Sequence, residues 1–199
     1  MDEHRRKYFE SCADDWDKSF TAEDYEILSF LIDSFDIPKK ARIADLGCGT
    51  GIMFDMLRRK VGLNGMIVGI DFSSRMVMKA RQNFPFDNVY EVDADVEDLP
   101  LQSDSFDFVI SFASFAHFTN PQKVMEETSR ILKQGGQFHI IHLLGSKELE
   151  KLHKKVGGPV ADDHLPSNED MMKLFDFGHF INVTIKDHPG LYLASGVKG

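Results

Sequence analysis

The chain has 199 residues, 42% of them hydrophobic, enough to bury one good core, so a single domain over 1–199 is the expectation. A net charge of −9 disfavours broad contact with a phosphate backbone, and nucleic acid is not an expected partner. No run of about 18 apolar residues is present, the charged start Met1 to Lys7 lacks the apolar core of a secretory signal, and Cys12 and Cys48 alone make neither a disulfide scaffold nor a metal-ligand spacing; a cytoplasmic location without a membrane partner is expected.

Two helices are expected first, over 3–14 with Tyr8, Phe9 and Cys12, and over 22–35 with Tyr25, Ile27, Leu28, Leu31 and Ile32. Thr21 and Asp24 can cap the second, and Pro38 ends the helical pattern. From Ile43 strand-like and helix-like segments alternate: 43–46 then 51–60, 66–70 then 73–83, 89–92, 106–112 then 121–133, 137–143 then 146–155. Gly135-Gly136 is read as the break before the fifth strand. The alternation predicts an α/β fold, a parallel sheet with helices on both faces. After a loop over 157–168 and a helix over 168–177, segments 180–185 and 191–197 flank His188-Pro189-Gly190 as an antiparallel pair. The chain then divides into N-terminal helices over 1–38, an α/β core over 39–145, and C-terminal helices with an antiparallel strand pair over 146–199.

The most informative stretch is Ile43-Ala44-Asp45-Leu46-Gly47-Cys48-Gly49-Thr50-Gly51, with Asp71 twenty residues after its last glycine. Glycines at a strand end let the backbone turn sharply and approach a ligand, and free N–H groups at a following helix start can face that ligand. A dinucleotide fingerprint would need a third glycine where Ile52 stands. Asp45 would repel a pyrophosphate but suits a ligand with an ammonium group. A strand acid, Gly-x-Gly-x-Gly and a second acid therefore read as a site for S-adenosylmethionine. Asp71, at the end of the second strand, can accept two hydrogen bonds from paired ribose hydroxyls or can cap the helix that follows.

Four segments in order resemble class I S-adenosylmethionine-dependent methyltransferases of the group that includes the ubiquinone and menaquinone methyltransferases. They are Asp45–Gly51, Val68–Met76, Asp95–Leu101 with Ser105–Ser111, and Arg130–Gly136. The resemblance implies a Rossmann-like, seven-stranded, mostly parallel sheet with the last strand antiparallel and an N-terminal helical lid. It also implies that Asp45, Gly47, Cys48, Gly49, Gly51, Asp71, Phe72, Met76, Asp95, Val96, Ser111 and Phe112 hold the cofactor. In that reading Asp45 supports the ammonium, Phe72 packs on adenine, Asp95 and the Val96 backbone meet its amino group, and Ser111 and Phe112 line the methionine portion.

On the acceptor side, His117 after the fourth strand and His142 at the end of the fifth are the candidate bases or orienting groups, each equally readable as a structural histidine. Tyr8 and Trp16 join His117 as candidate pocket residues, Trp16 because a lone Trp between Asp15 and Asp17 suits a partly exposed position. His142, His153, Asp163 and His164 could together ligate a metal, but without tight spacing no metal is expected. The run Lys147–Lys155 reads as a solvated helix face. The expected activity is methyl transfer from S-adenosylmethionine to a small molecule, leaving S-adenosylhomocysteine, by a monomer or homodimer. Rival readings are a cofactor-binding sensor, a protein or nucleic-acid methyltransferase and, least of all, a nucleotide-dependent oxidoreductase.

Overall fold

The computed structural model describes residues 3–199; Met1 and Asp2, part of the charged start, lie outside them. Seven strands form one sheet: β1 (Arg42–Leu46), β2 (Met66–Asp71), β3 (Val89–Asp93), β4 (Phe106–Phe112), β5 (Leu132–His142), β6 (Phe180–His188) and β7 (Leu191–Lys198). Their order is β3-β2-β1-β4-β5-β7-β6. Strands β1 to β5 pair in parallel, and β7 runs antiparallel between β5 and β6, so the last strand is the reversed one, as expected. The order changes direction between β1 and β4, which places a ligand crevice at the carboxyl ends of those strands.

The helices are α1 (Glu3–Cys12), α2 (Ala22–Ser34), α3 (Phe54–Val61), α4 (Ser74–Asn83), α5 (Pro121–Ile131), α6 (Ser146–Val156) and α7 (Asn168–Phe177). Alternation along the strands sends side chains to two separate cores. In β1, Ile43 faces the layer holding Leu28 and Ile32 of α2 and Phe54 and Leu57 of α3. Its neighbours Ala44 and Leu46 face the layer holding Val124 and Met125 of α5 and Met171 and Phe175 of α7. Phe106 breaks the alternation of β4 and joins Val109, because the ladder to β5 slips between Phe106 and Phe108. Thr21 and Asp24 form the expected reciprocal cap on α2, and Asn120 accepts from the Lys123 amide at 3.1 Å to start α5.

Several boundaries differ from the sequence reading, among them the end of β6, which runs to His188 rather than stopping at 185. Helix α1 ends at Cys12, and Trp16–Ser19 form a separate 3₁₀ turn. Helix α3 begins at Phe54 rather than at residue 51, because Gly51 has φ +89°, which no helix accommodates. Strand β5 starts directly after α5 at Leu132 and runs through Gly135-Gly136 instead of beginning after them. A Cβ at Gly136 would sit 2.9 Å from both the Leu132 side chain and the Lys133 carbonyl, so the close approach, not a chain break, is what needs glycine. No helix among the described residues is long and apolar enough to cross a membrane.

Candidate active site

The glycine loop lies across the ends of β1 and β2. Gly47, Gly49 and Gly51 all have positive φ, at +71°, +53° and +89°, which L side chains rarely adopt. The Gly47 and Cys48 amides both donate to the Ile70 carbonyl, at 2.8 and 3.0 Å, tying the loop to β2. The Gly49 amide donates to Asp71 Oδ2 at 2.9 Å, and the Gly51 amide to the Cys48 carbonyl at 2.9 Å. The Gly47, Cys48 and Gly49 amides are thus committed to β2 and the Gly51 amide to the loop itself. What the glycines provide is a wall without Cβ atoms.

Asp71 closes β2. Its Oδ1 accepts from the Ser73 amide at 2.9 Å, and Ser73, not Asp71, caps α4. Burial pushes the Asp71 carboxyl up to about 6, against the hydrogen bonds from Ser73 and Gly49 that favour its charged form. Asp45 is 1% exposed with neither carboxylate oxygen hydrogen-bonded among the described residues. Burial first, and the charge of Asp71 second, push it well above the ordinary carboxylate range. A buried carboxylate without a partner is costly, and a cationic or hydrogen-bonding ligand group relieves that cost. Burial and the same acids push the Cys48 thiol up, so it is not a thiolate nucleophile.

Eight of the expected cofactor residues line one small cavity of about 40 Å³: Gly47, Cys48, Gly49, Asp71, Phe72, Met76, Val96 and Phe112. The other four do not line it. Asp45 is buried outside its lining, and Gly51 is packed against Phe54 and Phe84. The Asp95 carboxylate accepts from the Glu97 amide at 3.0 Å. The Ser111 hydroxyl is buried against Ser114 Oγ at 2.7 Å, and Ala113 and Ser114 take the wall position expected of Ser111. The segment after Val96 is braced from α5: Arg130 donates to the Leu99 and Leu101 carbonyls at 2.9 and 2.7 Å, and Glu127 accepts from the Leu99 amide at 2.8 Å.

A second cavity of about 660 Å³ shares the Phe112, Ala113 and His117 wall with the first. Both are roofed by Phe9, Trp16 and Phe20. Trp16 Nε1 lies 3.4 Å from where a Cβ on Gly49 would stand, and Phe9 packs edge-on against Phe72, Trp16 and His117. Tyr8 and His142 line only the larger cavity. Helix α6 contributes Leu149, Leu152, His153 and Val156 to it, so the run read as a solvated face also carries a cavity-facing stripe. Among the described residues no lysine or arginine lines the larger cavity, and Asp15 and Asp24 stand among its lining groups.

Histidines gather at the shared wall. His117 Nδ1 is 2.7 Å from Asp163 Oδ2, and Arg5 Nη1 reaches the same oxygen at 2.5 Å. His153 Nδ1 is 2.7 Å from the Asp163 carbonyl, with the His117 and His153 rings 4.8 Å apart. Half-burial pushes the Asp163 carboxyl up, but hydrogen bonds from His117 and Arg5 outweigh it and hold the group at about 2. Burial, with His117 and His153 nearby, lowers His142 to about 3 and keeps it neutral. The link from Asp163 to His117 spans 46 residues and leaves no local pattern in the sequence. His164 is exposed, and no cluster of three or more potential ligands suited to a metal ion occurs among the described residues.

A switch-point crevice, a glycine loop without Cβ atoms and an acid closing the second strand are the arrangement expected of a class I S-adenosylmethionine-dependent methyltransferase, and likeness to known proteins supports that class. The chain carries a methyltransferase domain: the family model of that description matches residues 44–140. A demethylmenaquinone methyltransferase of Staphylococcus aureus is 25% identical over 177 residues, covering 77% of this chain and 73% of the relative. A 37.1 kDa protein of transposon TN4556 from Streptomyces fradiae is 32% identical over 110 residues, and the matched part spans only 32% of that relative. Among solved structures, a Thermotoga maritima methyltransferase superposes with TM-score 0.77 at 22% identity, covering 98% of this chain and all of that one.

Proposed function

We propose that this enzyme methylates a small molecule with an apolar body, seated in the larger cavity and meeting the cofactor at the His117 wall. The observation that carries the proposal is the junction itself: two cavities of about 40 and 660 Å³ share Phe112, Ala113 and His117 under one aromatic roof. S-adenosylmethionine supplies an electrophilic methyl group on a sulfonium centre. Asp45 fits its ammonium, because an unpartnered buried carboxylate gains most from a cation. Asp71 keeps accepting capacity for ribose hydroxyls, since each of its oxygens holds one backbone N–H and can accept more. Phe9, Trp16 and Phe20 exclude water, and the cavity walls hold the acceptor in line, so proximity supplies much of the rate. The relation to a demethylmenaquinone methyltransferase supports an acceptor with an apolar body.

The test is calorimetric titration with S-adenosylhomocysteine, NAD serving as control, followed by transfer of labelled methyl groups to small molecules, proteins and nucleic acids. One-site binding of the first ligand alone and label in small molecules are expected. Absence of binding removes the cofactor assignment, and label confined to macromolecules removes the acceptor assignment.

A further inference from the structure

We propose that Asp163 positions His117 so that Nε2 is the proton-accepting atom at the shared wall, and that the acceptor is therefore one whose attacking atom carries a proton. The acceptor half of this inference rests on the function proposed above; the assignment of the imidazole does not.

An ionised carboxylate has no proton to donate, so in the 2.7 Å contact with Asp163 it is His117 Nδ1 that carries the hydrogen. A neutral imidazole with Nδ1–H has its lone pair on Nε2. His117 Nε2 has no hydrogen-bond partner among the described residues, while its ring borders both cavities. The ring cannot swing freely: Phe9 stands edge-on at 5.1 Å and His153 at 4.8 Å. Arg5 holds the far side of the arrangement at 2.5 Å from Asp163 Oδ2. Helix α1, the turn after β4 and the loop after α6 thus converge on one carboxylate. The other titratable groups lining the larger cavity are Tyr8, Cys12, Asp15, Asp24, His142 and His153, and the last gives its own Nδ1 hydrogen to the Asp163 carbonyl. Of these imidazoles only His117 also borders the cofactor cavity.

In the transfer, the acceptor's bond to hydrogen breaks, its proton passes to His117 Nε2 and the bonding pair stays on the atom that takes the methyl group. The pair from the broken sulfur–methyl bond stays on sulfur, which becomes a neutral thioether. The imidazolium, facing Asp163, then gives its proton to water. A tertiary amine or a thioether would have no use for this arrangement; a phenol, an enol or a primary or secondary amine would.

The test is a long-range proton–nitrogen NMR spectrum of the full chain labelled with ¹⁵N in histidine, with His117 assigned through His117→Gln. The Nδ1–H form is expected to dominate in the native chain, and Asp163→Asn should bring the two tautomers to comparable populations with S-adenosylhomocysteine affinity unchanged. A dominant Nε2–H form in the native chain would overturn the assignment even if the variant failed to fold. So would an unchanged tautomer in a folded Asp163→Asn variant. With 1-naphthol or 1-naphthylamine as methyl acceptor, Asp163→Asn should lower kcat by about tenfold or more; transfer to dimethyl sulfide or N,N-dimethylaniline would overturn the acceptor class. Failure of S-adenosylhomocysteine to bind the native chain would instead remove the proposed function and leave the tautomer result standing.

Discussion

Replacing Gly47 by alanine tests how the loop and the turn after β4 fit together. Gly47 has φ +71°, and an added Cβ would sit 2.4 Å from Ser114 Cβ and 2.7 Å from Ser114 Oγ. The left-handed backbone costs an L residue about 1–2 kcal/mol, and forcing two packed segments apart about 1–3 kcal/mol. Gly47→Ala is therefore expected to destabilise the chain by about 2–5 kcal/mol. Ser114→Gly alone removes two hydrogen bonds, to the Leu46 carbonyl and to Ser111 Oγ, both at 2.7 Å. At about 1 kcal/mol each, plus the entropy of glycine, that is about 2–3 kcal/mol. In the double variant the clash disappears, so the two losses should fall short of additivity by about 1–3 kcal/mol. Urea unfolding of the four proteins, followed by far-ultraviolet circular dichroism, measures the cycle. Strict additivity, or a Gly47→Ala protein as stable as the parent, would refute the contact between the loop and Ser114.

Two further outcomes bear on the acids and their support. A buried carboxyl raised from its ordinary value near 3.8 to about 6 contributes stability that is fully present below pH 4 and lost as the pH climbs through 6. The stability of Asp71→Asn relative to the parent should therefore rise by roughly 3 kcal/mol between pH 4 and pH 7; a difference that does not change with pH, read from denaturant titrations at each pH, would mean Asp71 is ordinary in the folded chain. Arg130→Gln, which loses charged hydrogen bonds to Glu127 and to the Leu99 and Leu101 carbonyls, should cost about 2–4 kcal/mol and weaken S-adenosylhomocysteine binding by loosening the Val96 wall. Unchanged affinity in calorimetry would separate that brace from the cofactor cavity.

The parts of the site that follow from local chemistry were legible. Glycine spacing and the acid closing the next strand announce a ligand-approach loop; of the twelve residues that the family resemblance implies around the cofactor, eight share one cavity lining. Parallel topology followed from alternating segments. What local inference missed was boundaries and loop pairing: Gly51 delays α3, and the loop amides bond Ile70 and Asp71 of β2. The stripe Leu149, Leu152, His153 and Val156 has the spacing of one helix face, but four charged residues interleaved with it dominate the sequence pattern. The Arg5–Asp163–His117 arrangement joins three distant segments, so no window of sequence contains it.

The roof over the cavities is attached in an unusual way for so buried a site. Between Glu3 and Phe20 the backbone hydrogen bonds of the described residues are all local to that segment. It is fastened to the body by its aromatic side chains and by polar clasps at separate points: Arg5 to Asp163, Asp14 to Arg75 and Lys79, and Asp17 to Thr50. No sheet ladder has to be rewritten when such a segment changes. Residues 3–20 thus meet both cavities through side chains alone, so a substitution there reshapes the roof while every strand pairing beneath it stays as it is.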